Sequence, residues 1–307
     1  MLSSIVASTA PLVLAALGIL FTYRAGVLNI AGEGLMLSGA FAGVAVAGLT
    51  DSATASVLAA VLAGLLVSGL FGAGCLWLRA DVFVVGIGIN LLMSGITAFL
   101  LIRLYGVQGT YAPRPFPALA TVDAGVPVLG GQSVLVVVAL VLIPVAHVVL
   151  FHTKLGTRIR VAGEAPDALT AAGGSSARAR WAAIGICGAL CGLAGAQLAM
   201  SSVQLFGTDM TAGRGFIALA AVFLGAGSPT RTVIGAVVFG CAEAVSDQLQ
   251  VKGLPSEPIL MLPYLVTIGA LVLIQLARRP RGRAAIAAAG RGLRVWRAGA
   301  VRRIGLR

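Results

Sequence analysis

Eight stretches of roughly 20 mostly apolar residues follow one another along this chain, each long enough to cross the hydrocarbon core of a bilayer. A ninth stretch, 215–227, is apolar but too short for a full crossing, which predicts a short or re-entrant helix inside the protein. The sequence therefore predicts an all-α polytopic membrane protein with about 8–10 transmembrane helices, and we also expect an internal repeat. The long stretches are 4–22, 27–49, 56–78, 82–102, 132–151, 182–202, 232–250 and 259–277.

Composition excludes a soluble globular protein. Of the 307 residues, 59% are hydrophobic and 10% are charged, whereas soluble domains have about 45–50% apolar and about 25% charged residues. Much of the net charge of +12 lies in residues 278–307, which contain ten Arg and no acidic residue. We therefore divide the chain into a membrane domain, 1–277, and an Arg-rich tail, 278–307. We expect the tail to contact membrane lipid and not nucleic acid.

Basic residues orient the spans, because cytoplasmic loops carry an excess of Lys and Arg. The segment 152–181 and the tail are both basic, so we expect both, and with them the C-terminus, in the cytoplasm. Alternation then places the N-terminus outside, together with Asp51 and Asp209. If 215–227 is instead a hairpin that returns, the N-terminus lies in the cytoplasm.

Three polar residues are expected at one level near the middle of the membrane. Glu33 lies nine residues after Arg24, and Asn90 lies nine residues after Asp81, which corresponds to a helix rise of about 13–14 Å in each case. Asn29 precedes Glu33 by one helical turn, and glycines flank Glu33 on both sides. Polar groups and broken helices at this depth are typical of a solute path or gate. Alternatively, these three side chains bond neighbouring helices and never contact a solute.

Two further features of the spans have simpler interpretations. Glu243 and Asp247 lie one turn apart near the outer end of their span, where solvation of a helix end is one interpretation and a vestibule for hydroxyl-rich solutes is the other. Gly188 and Gly192 have G-x-x-x-G spacing, which favours close packing of two helices.

The segment 153–181 is the only long polar insertion between cytoplasmic ends of spans. Glu164 and Asp167 favour a helix start there, Pro166 suits a first turn, and Gly173-Gly174 ends the pattern. The sequence predicts an exposed two-turn helix that a partner protein can grip. The alternative is a solvated connector.

The sequence contains no motif that is typical of nucleotide binding, metal binding or catalysis. It has no G-x-x-x-x-G-K-[ST] phosphate-binding loop, no histidine pair spaced for a metal and no Ser/His/Asp arrangement. We therefore expect no enzyme, no catalytic residue, no metal site and no cofactor.

Several segments together resemble a known family. GVLNIAGEGLMLSGAFAG (26–43) is similar to the second-span motif of permease subunits of bacterial ABC importers, in the branched-chain amino acid and simple-sugar superfamily, and specifically its nucleoside-type branch. Three further segments of this chain are also similar to segments of that family. They are VVGIGINLLMSGITAFLL (84–101), TKLGTRIRVAGEAPDAL (153–169) and GFIALAAVFLGAGSPTRTVIGA (215–236). The resemblance covers about residues 5–277.

The resemblance implies partners for the chain. These are a cytoplasmic ABC ATPase subunit, a paralogous second permease and an extracytoplasmic substrate-binding lipoprotein that delivers a small-molecule substrate. The predicted exposed helix would then couple the permease to the ATPase. The residues expected in coupling are Gly156, Arg160, Gly163, Pro166, Ala168, Ala171 and Ala172.

We therefore expect a multi-pass permease of a bacterial inner membrane that imports nucleosides by alternating access, with ATP hydrolysed by a separate chain. Asn29, Glu33 and Asn90 are the expected residues of the translocation path or its gate. Two alternatives stay open: the same architecture carrying branched-chain amino acids or a pentose or other simple sugar, and a stand-alone ion-coupled secondary transporter.

Overall fold

The computed structural model describes residues 2–251, apart from 114–115, 118 and 123–130, together with residues 265, 266, 269 and 272. Within these residues, seven helices are long and apolar enough to cross a membrane, and one shorter apolar helix accompanies them. The predicted all-α polytopic membrane fold is confirmed. The predicted span 259–277, apart from four residues, and the Arg-rich tail lie outside the described residues, and the internal repeat stays a prediction.

Ten α-helices and four two-residue strands make up the described part of the chain. The helices are α1 (Leu2–Arg24), α2 (Gly32–Thr50), α3 (Ala53–Gly72), α4 (Val82–Tyr105), α5 (Val134–His152), α6 (Lys154–Glu164), α7 (Pro166–Ala171), α8 (Ser176–Ala196), α9 (Arg214–Leu224) and α10 (Pro229–Val251). Two π-helical segments, Ala73–Trp77 and Gln197–Val203, continue α3 and α8. The strands are β1 (Thr110–Tyr111), β2 (Thr121–Val122), β3 (Gln132–Ser133) and β4 (Phe206–Gly207). They form two antiparallel pairs, β1 with β4 and β2 with β3.

α1, α2 and α8 form the centre of the bundle. α1 packs against α8, α9 and α10, and α2 packs against α3, α4 and α8. Where α3 crosses α8, a Cβ at Gly188 would collide with Ser68, and one at Gly192 would collide with the carbonyl of Ala60. The two backbones therefore approach closely at these two positions. α3, α4 and α5 are largely exposed along apolar faces, which suits a surface covered by lipid or by another membrane chain.

Basic side chains collect at one end of the bundle, which we name the basic end. Here α1 ends at Arg24, α6 packs against α1, α5 and α8, α7 packs against α6 and α8, and α8 begins. Arg180 of α8 donates from Nε to the carbonyl of Ala25 at 3.3 Å and from a terminal nitrogen to that of Ala162 at 3.2 Å. The four short strands lie at the other end, which we name the strand end.

Candidate functional site

The chain between α1 and α2 is not helical, and two asparagines hold it. Asn29 is fully buried. Its Oδ1 accepts from the backbone N–H of Ala31 at 2.9 Å, and its Nδ2 donates to Sγ of Cys187 at 3.3 Å. Asn90 of α4 donates from Nδ2 to the carbonyl of Ile30 at 3.0 Å and accepts at Oδ1 from the N–H of Gly34 at 2.8 Å. The side chains thus satisfy backbone groups that the break in the helix leaves unpaired.

Glu33 holds the start of α9. Its two carboxylate oxygens accept separately from backbone N–H groups, Oε1 from Gly213 at 2.8 Å and Oε2 from Gly215 at 2.7 Å. A carboxylate is stabilised at this place, because the first N–H groups of a helix are unpaired and carry partial positive charge. The two elements touch backbone to backbone, since a Cβ at Gly215 would collide with the backbone of Glu33.

The short helix α9 begins at about half the depth of the bundle. Its eleven residues rise about 16 Å, and it ends beside Arg24 at the basic end, where Arg24 donates from Nε to the carbonyl of Gly227 at 2.6 Å. Arg24 also pairs with Glu164 at 3.3 Å. α9 is therefore held by Glu33 at its start and by Arg24 just beyond its end. The predicted short helix is present, and it ends within three residues of the predicted limit.

The three residues expected in a path or gate lie at the break before α2 and at the start of α9, two places whose backbones touch. All three are used in hydrogen bonds to the break before α2 or to the start of α9. The structure thus brings Asn29, Glu33 and Asn90 together, as their equal depth predicts, and it engages their polar atoms with the chain itself. Their role in transport stays a proposal.

Asp209 does not lie in an outer loop, where the sequence analysis expected it, but beside the middle of α4. Its Oδ1 accepts from Oγ of Ser94 at 2.6 Å, and Ser94 is the thirteenth of the 24 residues of α4. Asp209 is exposed on the surface of the chain. Sequence reasoning missed this pair, although a signal existed: the loop before a helix that begins inside the membrane must itself lie inside the membrane.

A buried ion pair lies on the other side of the start of α9. Arg214 pairs with Glu243 of α10, and it also donates to the carbonyl of Met210 at 2.9 Å. Glu243 is 7% exposed, so solvation of a helix end does not describe it. Towards the strand end, a cavity of about 580 Å³ is lined by residues that include Ser133, Arg214 and Asp247.

Three of the residues expected in coupling face the interior. A Cβ at Gly156 would collide with carbonyls of α5, and one at Gly163 would collide with the backbone that follows α1. The guanidinium of Arg160 lies 4.9 Å from the ring centroid of Phe151. These residues lie in α6, a helix that the sequence analysis did not anticipate, and they seat it on the bundle.

The other four residues expected in coupling belong to or border α7. Pro166 is its first residue, Leu169 is buried against the bundle, and Ala168, Ala171 and Ala172 are exposed. The helix ends where Gly173 adopts a positive φ of 76°, and the N–H of Gly174 donates to the carbonyl of Leu169 at 2.9 Å. This is the exposed short helix that the capping pattern predicts, and it begins at Pro166, two residues after Glu164.

Comparison with known proteins gives one family and several relatives. The family described as "branched-chain amino acid transport system / permease component" matches residues 1–273. The guanosine ABC transporter permease protein NupQ of Bacillus subtilis is 37% identical over 85% of this chain and 88% of its own length. The nucleoside ABC transporter permease protein NupC of Lactococcus lactis is 33% identical over 86% of this chain and 88% of its own length.

A third relative is named for a different solute. The putative glucose ABC transporter permease protein TsgC13 of Haloferax volcanii is 30% identical over 84% of this chain and 80% of its own length. No solved structure matches the chain. The family match covers most of the sequence, including the break before α2, the start of α9 and the α6–α7 segment. The chain is therefore a member of the branched-chain amino acid transport system permease component family.

Proposed function

We propose that this chain is the permease subunit of an ATP-driven importer and that it carries nucleosides inward by alternating access. One observation supports nucleosides as the substrate class. Over more than four fifths of its length, the chain is similar to two permeases that are named for guanosine and for nucleosides. A gate at half depth fits this role, because transporters often combine broken helices with polar groups near the midplane.

The gate that we propose is the start of α9 together with the break before α2. Opening a path beside α9 requires the hydrogen bonds of Glu33 to Gly213 and Gly215 to shift or break. Asn90 keeps the two ends of the break together while this happens. In this proposal Asn29, Glu33 and Asn90 position the gate, and they need not contact the solute.

Coupling to the ATPase is proposed at α7. Its exposed residues are the small side chains of Ala168, Thr170 and Ala171 together with Asp167, whereas Leu169 anchors the helix to the bundle. The excess of Arg at the basic end favours a cytoplasmic position for this end, and hence for α7 and the Arg-rich tail. A cytoplasmic ATPase would hydrolyse the ATP. A second permease would cover exposed apolar faces, and a substrate-binding lipoprotein would dock at the strand end.

Uptake by the assembled transporter in proteoliposomes tests the substrate. We expect ATP-dependent accumulation of labelled guanosine, and excess unlabelled uridine or adenosine shows how broad the nucleoside range is. Labelled leucine and ribose are the comparison solutes. Transport of leucine without transport of any nucleoside would contradict the proposal.

A sugar is the second candidate substrate. The observation in its favour is the likeness to the Haloferax permease named for glucose. Uptake of labelled glucose or ribose that excess guanosine does not reduce would support this candidate over the first.

Two substitutions in α7 test the coupling. Replacing Ala168 and Ala171 with Arg adds two large charged side chains to the exposed face, and we expect the ATPase to stop co-purifying with the chain. Gln108→Arg adds one such charged side chain at an exposed position of the strand end and is the control for a position away from α7. Normal ATPase association of the α7 variant would remove α7 from the interface. Uptake by this chain alone, driven by an ion gradient, would contradict an ATP-driven importer altogether.

A further inference from the structure

Asp209 is a carboxylate at half depth that the chain itself leaves accessible. Glu33 accepts hydrogen bonds at both of its oxygens. The exposed side chain of Asp209, in contrast, accepts one hydrogen bond, from Ser94, among the contacts of the described residues. Since Ser94 lies at the middle of a 24-residue span, Asp209 lies near the midplane of the membrane.

The face that carries Asp209 does not suit contact with lipid. A charged side chain near the bilayer centre is among the most costly groups to place in hydrocarbon, and such residues face a bundle interior or a water-filled cavity. α4 and α9 both pack on α2 and make little contact with each other, so Asp209 lies between two helices that flank the start of α2. This face therefore borders water or another protein chain.

The backbone holds Asp209 in place. Asp209 and Ala212 adopt positive φ values of 54° and 44°, which non-glycine residues rarely do, and Gly213 follows with a φ of 80°. Gly213 is in turn bound to Glu33. Unusual backbone conformations of this kind persist where the surroundings impose them, and they often occur at functional sites. The carboxylate is thus presented by a loop that the proposed gate anchors.

We propose that Asp209 and Ser94 bind hydroxyl groups of the solute, and specifically the vicinal diol of a ribosyl group. This proposal rests on nucleoside transport by the chain. An ionised carboxylate only accepts hydrogen bonds, and its two oxygens suit two neighbouring hydroxyls. Ser94 uses its proton on Asp209, which leaves its oxygen free to accept from the solute. The negative charge selects neutral sugars over phosphorylated ones.

The cavity at the strand end is the rival position for such a site. Its lining includes Arg214 and Asp247, but Arg214 is already paired with Glu243 and Met210, and Ser133 and Ser201 bond each other at 2.7 Å. Asp247 is, like Asp209, an exposed aspartate. Asp247→Asn is therefore the matched control for Asp209→Asn.

The first test is the uptake ratio of guanosine to 2′,3′-dideoxyguanosine in proteoliposomes that contain the assembled transporter. A binding protein contributes equally to every variant, so a change in this ratio between variants arises in the permease. For Asp209→Asn we expect the ratio to fall by about ten- to a hundredfold, because hydrogen bonds to a charged group are lost. Ser94→Ala should lower it less, and Asp247→Asn should leave it unchanged. An altered ratio in Asp247→Asn alone would assign the site to the cavity and overturn the proposal.

The second test is chemical labelling of the wild-type transporter. A water-soluble carbodiimide with glycine ethyl ester should modify Asp209, and guanosine should protect it. Asp51, exposed just beyond α2 at the strand end, should react without protection. Labelling of Asp209 only by a membrane-soluble carbodiimide, or no labelling by either reagent, would show contact with lipid or burial by another chain and would overturn the proposal. If either labelling result is found together with normal guanosine uptake, the site at Asp209 is contradicted but the proposed nucleoside transport is not.

Discussion

Arg24 donates from Nε to the carbonyl of Gly227 at 2.6 Å, which ties the end of α1 to the segment that follows α9. A cation is favourable there, since the C-terminal end of a helix carries partial negative charge. The same guanidinium pairs with Glu164, the last residue of α6. Gly163 of α6 also packs against the backbone at the end of α1. A displacement of the α6–α7 segment therefore reaches the end of α1 even without the ion pair, and the bond of Arg24 to Gly227 passes it to α9 and so to Glu33 at half depth.

Arg24→Met should weaken this connection. The substitution keeps much of the aliphatic length of the side chain but removes the bond to Gly227, and hydrogen bonds to charged groups contribute about 1.5–3 kcal/mol. We expect nucleoside uptake to fall more than ATP hydrolysis does. The measurement is the ratio of guanosine transported to ATP hydrolysed in proteoliposomes.

Glu164→Gln is the matched control for Arg24→Met. It removes only the ion pair with Arg24. The Glu164 side chain in this pair is 69% exposed, and exposed ion pairs contribute about 0–1 kcal/mol to stability. We expect this variant to keep a ratio close to that of the wild type. An equal loss in both variants would mean that loss of the ion pair accounts for the whole effect and that the bond to Gly227 contributes nothing to coupling.

Glu33→Gln should release the start of α9. The two N–H groups of Gly213 and Gly215 use different oxygens of Glu33, and an amide has one oxygen and places an N–H donor where the other was. We expect a loss of about 1.5–3 kcal/mol in the free energy of unfolding and impaired guanosine uptake. Thermal unfolding of the purified transporter and uptake give the two readouts.

Asp81→Asn makes the same acid-to-amide change at a place where it should do little. Asp81 caps the start of α4 with one oxygen, Oδ1, which accepts from both Phe83 and Val84. Asn provides that oxygen as well, and it caps helices about as well as Asp does. Unaltered stability and uptake in Glu33→Gln, as in Asp81→Asn, would argue against a role for Glu33 at the start of α9.

Asn90→Leu should destabilise the break before α2. Leu has a similar size but leaves the carbonyl of Ile30 and the N–H of Gly34 without their side-chain partner, and an unpaired buried group costs about 1–3 kcal/mol. Thr97→Val is the control in the same helix, because within the described residues the hydroxyl of Thr97 bonds only carbonyls of its own helix. We expect the melting temperature of the purified transporter to fall clearly more for Asn90→Leu. Equal melting temperatures of the two variants would contradict a bridging role for Asn90.

The spans were predictable because length and apolarity alone decide whether a helix can cross a membrane. The equal depth of Glu33 and Asn90 followed from counting residues from the basic end. α6 was missed although its signal is present: Thr153 caps it, and Leu155, Ile159 and Ala162 recur at helical spacing.

The partners of the site residues were not predictable from one sequence. Glu33 bonds residues 180 and 182 positions away, and Asp209 bonds Ser94 over 115 positions. Only the packing of α2 between α4 and α9 brings these groups together, and span counting contains no information about which helices are neighbours. The same limit explains why neither interpretation of Glu243 from the sequence, a solvated helix end or a vestibule, included its ion pair with Arg214.

The pair of Arg214 and Glu243 provides the last prediction. Removing one partner of a buried ion pair leaves an uncompensated charge and costs about 3–5 kcal/mol, whereas replacing both with apolar residues is often nearly neutral. Arg214→Met should be the more harmful single substitution, because Glu243 is buried and has no other hydrogen-bond partner within the described residues. Glu243→Leu leaves Arg214 its bond to the carbonyl of Met210. We therefore expect melting temperatures to rise from Arg214→Met to Glu243→Leu to the double variant. A double variant no more stable than Arg214→Met would mean that the pair itself, and not relief of a buried charge, stabilises the start of α9.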